Sequence, residues 1–166
     1  MGRKAILASM ALGAVALAGA TVIPVPVGCN VSAFDPTSLA VLNFALQLEQ
    51  LESQSYLFAL GGTGLNATEL GVGGVAATGA YKANLSPAVH AFATELANTE
   101  VAHVKLLRSV LGACAVPAPP IDLSVTTFST LANAATGQTT NALNLNPAHG
   151  DLAFLLSAFI YEDVGM

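Results

Sequence analysis

A chain of 166 residues has room for one domain of ordinary size but not for two. Hydrophobic residues make up 54% of it and charged residues only 9%, which is the opposite of the balance in a disordered chain. The formal net charge is −5, so the chain lacks the basic surface that nucleic-acid binding requires. Its two cysteines are too few for a four-cysteine zinc site or a dense disulfide scaffold.

The first 20 residues have the pattern of a secretory signal peptide. Arg3 and Lys4 supply positive charge, residues 5–23 carry no charged side chain, and Ala18-Gly19-Ala20 fits a signal peptidase site. We therefore expect cleavage near residue 20 and a secreted or cell-envelope protein. The alternative is that residues 5–23 remain as a membrane anchor, because an apolar stretch of this length nearly suffices to span a bilayer.

Residues 21–34 are expected to form an extended leader, and they contain Cys29. In an oxidising compartment Cys29 and Cys114 could form one disulfide, or both could remain unpaired small residues, and the sequence leaves the two possibilities open. Three Asn-x-Ser/Thr sequons are candidate glycosylation sites if the source is a eukaryote. They begin at Asn30, Asn66 and Asn84.

The rest of the chain predicts an all-α fold, because no alternating pattern is long enough for a sheet. Asp35-Pro36 and Ser86-Pro87 are helix start signals, and the glycines from Gly61 and at Gly112 are stop signals. The long helices are predicted over about 37–60, 86–111 and 146–164, with a short one over 127–135. Residues 61–86 are expected to form a long loop.

On the first long helix the acidic side chains lie on the apolar side. At about 100° per residue, Glu49 lies near the centre of a mostly apolar stripe, and Glu52 lies at its margin. Tyr56 follows Glu49 by two turns and is placed to hydrogen-bond a neighbouring ligand. The opposite face of the helix, which we expect to face water, carries neutral polar residues: Asn43, Gln47, Gln50 and Gln54.

The other two long helices repeat this arrangement. Glu100 lies in an apolar stripe, and the spacing Glu-x-x-His projects His103 from the same side of the helix. Glu162 lies in a helix that is apolar almost all round. A buried carboxylate must be paired, protonated or bound to a cation. Once residues 1–20 are removed, only three basic side chains remain, so a metal ion is the most economical partner, and carboxylates with an imidazole favour iron or manganese.

Three segments resemble the ferritin-like domain of desiccation-related and stress-response proteins: residues 42–52, 95–104 and 154–165, together with the link over 111–122. The resemblance covers about residues 35–166. It implies a ferritin-like four-helix bundle with a dinuclear iron or manganese site. The ligands that it carries over are Glu49, Glu100, His103 and Glu162, with Glu52 less certain.

The family's fourth helix, with its second Glu-x-x-His, would follow residue 166. We therefore expect either a fragment or a bundle that self-association completes. Two functions stay open at this point, and so does the question of whether the chain is an enzyme. One is a metal-binding protein that handles iron, oxygen or peroxide. The other is a non-enzymatic stress protein that keeps the bundle without metal, its inward acids protonated or hydrogen-bonded.

Overall fold

A computed structural model describes residues 25–136 and 146–165. Its helices are α1 (Pro36–Gly61), α2 (Ala67–Leu70), α3 (Pro87–Leu111), α4 (Val125–Thr136) and α5 (Asp151–Gly165). Short 3-10 turns occupy Val31–Ala33, Gly112–Cys114 and Pro147–His149. The described residues contain no strand, only an isolated bridge between Thr78 and Asp122, so the prediction of an all-α fold with three long helices is confirmed. The predicted signal peptide lies outside the described residues.

The ends of the long helices follow from local signals. Asp35 caps α1 by accepting the Ser38 N–H at 2.9 Å, and Gly62 ends the helix with a φ of 74°. Ser86 and Pro87 open α3 in the same way. The last helix was expected to begin at Asn146-Pro147, but α5 begins at Asp151, because Gly150 takes a φ of 99° and separates the helix from the 3-10 turn before it.

Helix α1 is the centre of the bundle, with α3 and α5 both packed against it. The α1–α3 pair is antiparallel, since Asn43 near the start of α1 bonds Cys114 just after α3, while Ala59 near its end bonds Ala83 just before α3. Helix α5 also runs antiparallel to α1. Its first residue, Asp151, accepts the Ser86 N–H at 2.8 Å.

The polar face of α1 was expected to face water, and that expectation is wrong. All four of its neutral polar residues are buried: Asn43, Gln47, Gln50 and Gln54. The segments before and after α3 cover this face and exchange hydrogen bonds with it. Asn43 Nδ2 donates to the Cys114 carbonyl at 3.1 Å, Asn43 Oδ1 accepts the Val116 N–H at 2.9 Å, and Gln54 Oε1 accepts the Ala77 N–H at 2.6 Å. Asn43 and Gln54 therefore form hydrogen bonds with the segments around α3 instead of facing the solvent.

Residues 61–86 form a long loop as expected, except that it contains the short helix α2. Asn66 and Glu69 make a reciprocal cap: Asn66 Oδ1 accepts two backbone N–H groups, and the Glu69 carboxylate accepts the Asn66 N–H at 3.0 Å. Four residues are too few for a periodic hydrophobic signal, although the Asn-x-x-Glu spacing was visible in the sequence.

The leader is tied to the end of α3 by a disulfide between Cys29 and Cys114, whose Cα atoms lie 4.4 Å apart. The sequon residues Asn30, Asn66 and Asn84 are all exposed. Within the described ranges, no helix combines the length and the apolarity that crossing a membrane would need. The alternative anchor over residues 5–23 lies outside those ranges.

Candidate metal centre

Helices α1 and α3 bring Glu49, Glu100 and His103 together at the middle of their antiparallel contact. One potential ligand atom from each of the three lies within 4.8 Å of the other two. His103 Nδ1 is 2.9 Å from Glu100 Oε2 and 3.2 Å from Glu49 Oε2. The i, i+3 spacing aims the Glu100 and His103 side chains to one side of α3, where α1 supplies the second carboxylate.

The cluster is half-open to solvent. The Glu100 side chain is 4% exposed and that of Glu49 is 18% exposed, but the His103 side chain is 47% exposed. The carboxylates therefore belong to the core, while the imidazole forms the outer wall of the site.

Glu52 lies one turn after Glu49 and is the more deeply buried of the two, although the sequence placed it at the margin of the stripe. Its burial, and then the neighbouring carboxylates of Glu49, Glu100 and Glu162, raise its pKa to about 9. Glu52 is thus outside the three-residue cluster, but it is close enough for the carboxylates of that cluster to raise its pKa.

Glu162 reaches this region from α5 and is held by Tyr56. The Tyr56 hydroxyl donates to Glu162 Oε1 at 2.9 Å. Burial, followed by the Glu162 carboxylate, raises the pKa of Tyr56, so the phenol stays protonated and remains a donor. The Tyr56 ring packs between Phe154 and Tyr161, with ring centroids 5.8 Å and 6.2 Å away. This aromatic support was missed in the sequence, although the two α5 residues are seven apart and so share a side of that helix.

If all of them were ionised, the acids of the site would carry more negative charge than the protein around them offsets. Burial, then the hydrogen bond and charge of Glu100, raise the pKa of Glu49 to about 8. Burial disfavours a charged imidazole at His103, but Glu100 and Glu49 more than offset it, so the pKa of His103 is raised. Two of the basic side chains in the described residues are engaged elsewhere. Lys105 Nζ lies 3.4 Å from Glu69 Oε1, and Arg108 donates to the Val116 carbonyl at 3.1 Å.

This donor set fits a divalent metal ion of the iron or manganese type. It offers carboxylate oxygens and one imidazole nitrogen, with no thiolate, because both cysteines are in the disulfide. A cation among these acids would favour their ionised forms, which burial and mutual repulsion disfavour. Glu49, Glu100 and His103 are the residues best placed to hold it, with Glu52 and Glu162 as the nearest further carboxylates.

Comparison with family models matches residues 37–166 to a ferritin-like domain. Among curated proteins, the chain is 32% identical over 132 residues to the desiccation-related protein PCC13-62 of Craterostigma plantagineum, covering 78% of this chain and 41% of that protein. It is also 32% identical over 134 residues to the ferritin-like catalase Nec2 of Nesocodon mauritianus, covering 80% and 42%. The chain thus spans about two-fifths of the length of these relatives. No solved structure gives a significant match.

Proposed function

We propose, for a chain that belongs to the ferritin-like domain family, that Glu49, Glu100 and His103 bind iron or manganese and that the bound metal acts on peroxide. The observation that carries this proposal is the convergence of two carboxylates and an imidazole at a buried helix contact, with two further acids beside them. When bound, such a metal supplies electron transfer to and from dioxygen or peroxide. Peroxide is proposed as the substrate because one relative is named a ferritin-like catalase.

Different residues of the chain would have different roles at such a metal site. Glu100 and Glu49 supply buried negative charge, and His103 supplies a nitrogen ligand at the side that is open to solvent. Tyr56 fixes the carboxylate of Glu162 through its hydroxyl. The half-exposed imidazole marks the side from which a molecule as small as peroxide would enter, while the apolar core excludes water from the other sides.

Metal loading of the whole chain tests the proposal. We expect protein that is reconstituted anaerobically with Fe²⁺ or with Mn²⁺, and then desalted, to retain metal and to consume hydrogen peroxide. Replacing Glu100 or His103 with alanine should remove both properties. Glu95→Ala is the matched control, because Glu95 is an exposed acid on the same helix outside the cluster. Equal metal content in all four proteins would contradict the proposal.

The number of metal ions is a separate part of the proposal. A dinuclear site in ferritin-like bundles uses two Glu-x-x-His pairs and two more glutamates. This sequence contains one such pair, Glu100 and His103, so the site is incomplete within it. We therefore expect about one metal ion per chain, and elemental analysis of the reconstituted protein measures it.

A structural role without metal is the second candidate. It is favoured by the partners that the inward polar groups find within the protein, His103 with two carboxylates and Tyr56 with Glu162. The relative named desiccation-related supports a stress-associated role of this kind. Thermal unfolding separates the candidates. A metal held at a hundred times its Kd stabilises by about 2.7 kcal/mol, which is about 5–10 °C in a chain of this size. A Tm that a chelator leaves unchanged would favour the structural role.

We further propose that the protein is exported to the cell envelope or the outside of the cell. The signal-peptide pattern of residues 1–20 and the Cys29–Cys114 disulfide support this, because disulfides persist in oxidising compartments. Fractionation of cells that express the whole chain tests it. Alkaline carbonate extraction separates a secreted form from one that is anchored through residues 5–23.

A further inference from the structure

A cavity lies where the leader, the first turns of α1 and the segment after α3 meet. Its volume is about 310 Å³, which is at the lower end of the range of about 300–1,000 Å³ for small-molecule sites. The apolar part of its wall comes from the leader, from α1 and from the segment after α3: Val25, Pro26, Leu39, Phe44 and Val116. The cavity is separate from the candidate metal centre, because Gln47 in its wall and Glu49 at the centre are about 200° apart around α1.

The walls of this cavity are fixed by bonds within the protein. The disulfide between Cys29 and Cys114, which also lines the cavity, joins the leader to the end of α3. The amide of Asn43 bonds the Cys114 carbonyl and the Val116 N–H, which holds the segment after α3 against α1. The cavity is therefore formed in advance, so a molecule that enters it has little chain to order.

Gln47 is the polar group of the wall that the protein leaves without a partner. Its side chain is 4% exposed, and it forms no hydrogen bond with any residue in the described part of the chain. Gln50 and Gln54, on the same face of α1, bond the carbonyl of Glu69 and the N–H of Ala77. A buried amide that lacks a partner is unfavourable, so a bound molecule that pairs with Gln47 would gain affinity from that contact.

We propose that this cavity binds a small neutral molecule with an apolar body and one hydroxyl or carbonyl group. The apolar wall suits the body, and the Gln47 amide offers both a donor and an acceptor, so it pairs with either polar group. Among the described residues, none with a charged side chain lines the cavity, so an ionised ligand would bury its charge unpaired. At about 30 Å³ for each water-sized group, the volume suits a ligand of about ten non-hydrogen atoms.

The cavity opens to solvent on an apolar edge. Val25 and Phe44 line it and are both more than half exposed, as is typical of side chains at the mouth of a site rather than at its floor. A ligand would cover these two side chains as it enters, and this burial adds to the attraction.

Equilibrium dialysis of the whole chain against 2-naphthol and against naphthalene tests the proposal. A chelator is present so that no metal takes part. The two probes have the same apolar rings and are of suitable size, but only 2-naphthol carries a hydroxyl. We expect saturable binding of both, at about one molecule per chain, with 2-naphthol bound more tightly. A chain that binds neither probe saturably would overturn the proposal.

Gln47→Leu tests the polar contact, because leucine is similar in size and has no amide. We expect the affinity for 2-naphthol to fall at least about fivefold, since its hydroxyl then lacks a partner. The affinity for naphthalene should stay the same or rise, and circular dichroism checks that the variant folds. If both probes lose affinity equally, or if 2-naphthol loses none, Gln47 is not the polar partner and the proposal is wrong.

Ala40→Phe tests the position of the site. Ala40 lines the cavity and is itself exposed, so a larger side chain there can fill the cavity without disturbing the core. We expect it to remove the binding of both probes. Ala91→Phe, at an exposed alanine of α3 outside the cavity, is the matched control and should bind both probes normally. Probe binding that survives Ala40→Phe would place the ligand elsewhere and refute the proposal. Metal loading does not depend on this cavity, so the inference and the proposed function can fail separately.

Discussion

Replacing Tyr56 with phenylalanine removes one hydroxyl from the site and leaves the ring in place. The hydroxyl is buried, donates to Glu162 at 2.9 Å, and is one of the contacts that tie the last turns of α5 to α1. Phenylalanine preserves the packing between Phe154 and Tyr161. The change therefore isolates the hydrogen bond from the aromatic core.

The magnitude follows from the kind of bond and from its surroundings. A hydrogen bond to a charged group contributes about 1.5–3 kcal/mol, and Glu162 is partly exposed, so water replaces some of the loss. We expect a decrease of about 1–2 kcal/mol in the free energy of unfolding, which corresponds to about 2–8 °C in Tm. Removing a group that orients a metal ligand weakens metal binding by about 10- to 100-fold.

The assay combines thermal unfolding without metal and Mn²⁺ titration. Tyr161→Phe is the matched control, because Tyr161 belongs to the same buried aromatic group, and its hydroxyl is hydrogen-bonded to Ser55, with the Glu52 carboxylate near enough to raise its pKa. We expect a smaller effect of this control on Mn²⁺ affinity. If Tyr56→Phe leaves both the Tm and the affinity unchanged, the bond to Glu162 has neither of the roles assigned to it.

Three further predictions concern the effect of pH, the hydrogen bonds from Asn43 to the segment after α3, and the disulfide. Burial and neighbouring acids raise the pKa of Glu49 to about 8 and of Glu52 to about 9 from a value of 4.5, so the metal-free folded chain holds protons that the unfolded chain releases. Their stabilising contribution is fully present below pH 4.5 and is lost as the pH rises through 8 to 9, while calorimetric Mn²⁺ affinity should rise over the same range as the protons leave. Asn43→Ala leaves the Cys114 carbonyl and the Val116 N–H without their bonds to Asn43, and it should lower the free energy of unfolding by about 2–4 kcal/mol in chemical denaturation. A loss below about 1 kcal/mol would argue against a stabilising role of these two bonds. Replacing Cys29 and Cys114 with serine opens a link of 85 residues and should remove up to about 4–5 kcal/mol, and an unchanged melt would contradict the disulfide.

Helix positions were predictable because their signals are local. Asp35-Pro36, Ser86-Pro87 and Gly112 begin or end helices through their own backbone and capping chemistry, whatever surrounds them. The resemblance to a ferritin-like domain is confirmed by the match over residues 37–166. The start of α5 was misplaced because the sequence does not show that Gly150 adopts a positive φ before the helix.

The proximity of Glu49, Glu100 and His103 was predictable, because the spacing of residues on α3 and the apolar stripe of α1 both indicated it. The spacing of Glu100 and His103 fixes their common side, and the position of Glu49 in an apolar stripe brings it to them. The burial of Gln50 and Gln54 could not be predicted from the helical pattern of the sequence. A helical wheel tells which residues share a face but not what covers it, and here the cover comes from loops remote in sequence. The burial of Glu52 was underestimated as well, because the wheel does not show that α5 brings Tyr161 and Glu162 close to it.

The disulfide has a consequence for the order in which the protein is made. Cys29 and Cys114 both leave the ribosome before any residue of α5 does. In an oxidising compartment, the hairpin of α1 and α3, with Glu49, Glu100 and His103 opposite one another, could therefore be covalently linked before α5 is in place. Glu162 would then join two helices that are already linked, with the Tyr56 hydroxyl on α1 as its hydrogen-bond donor.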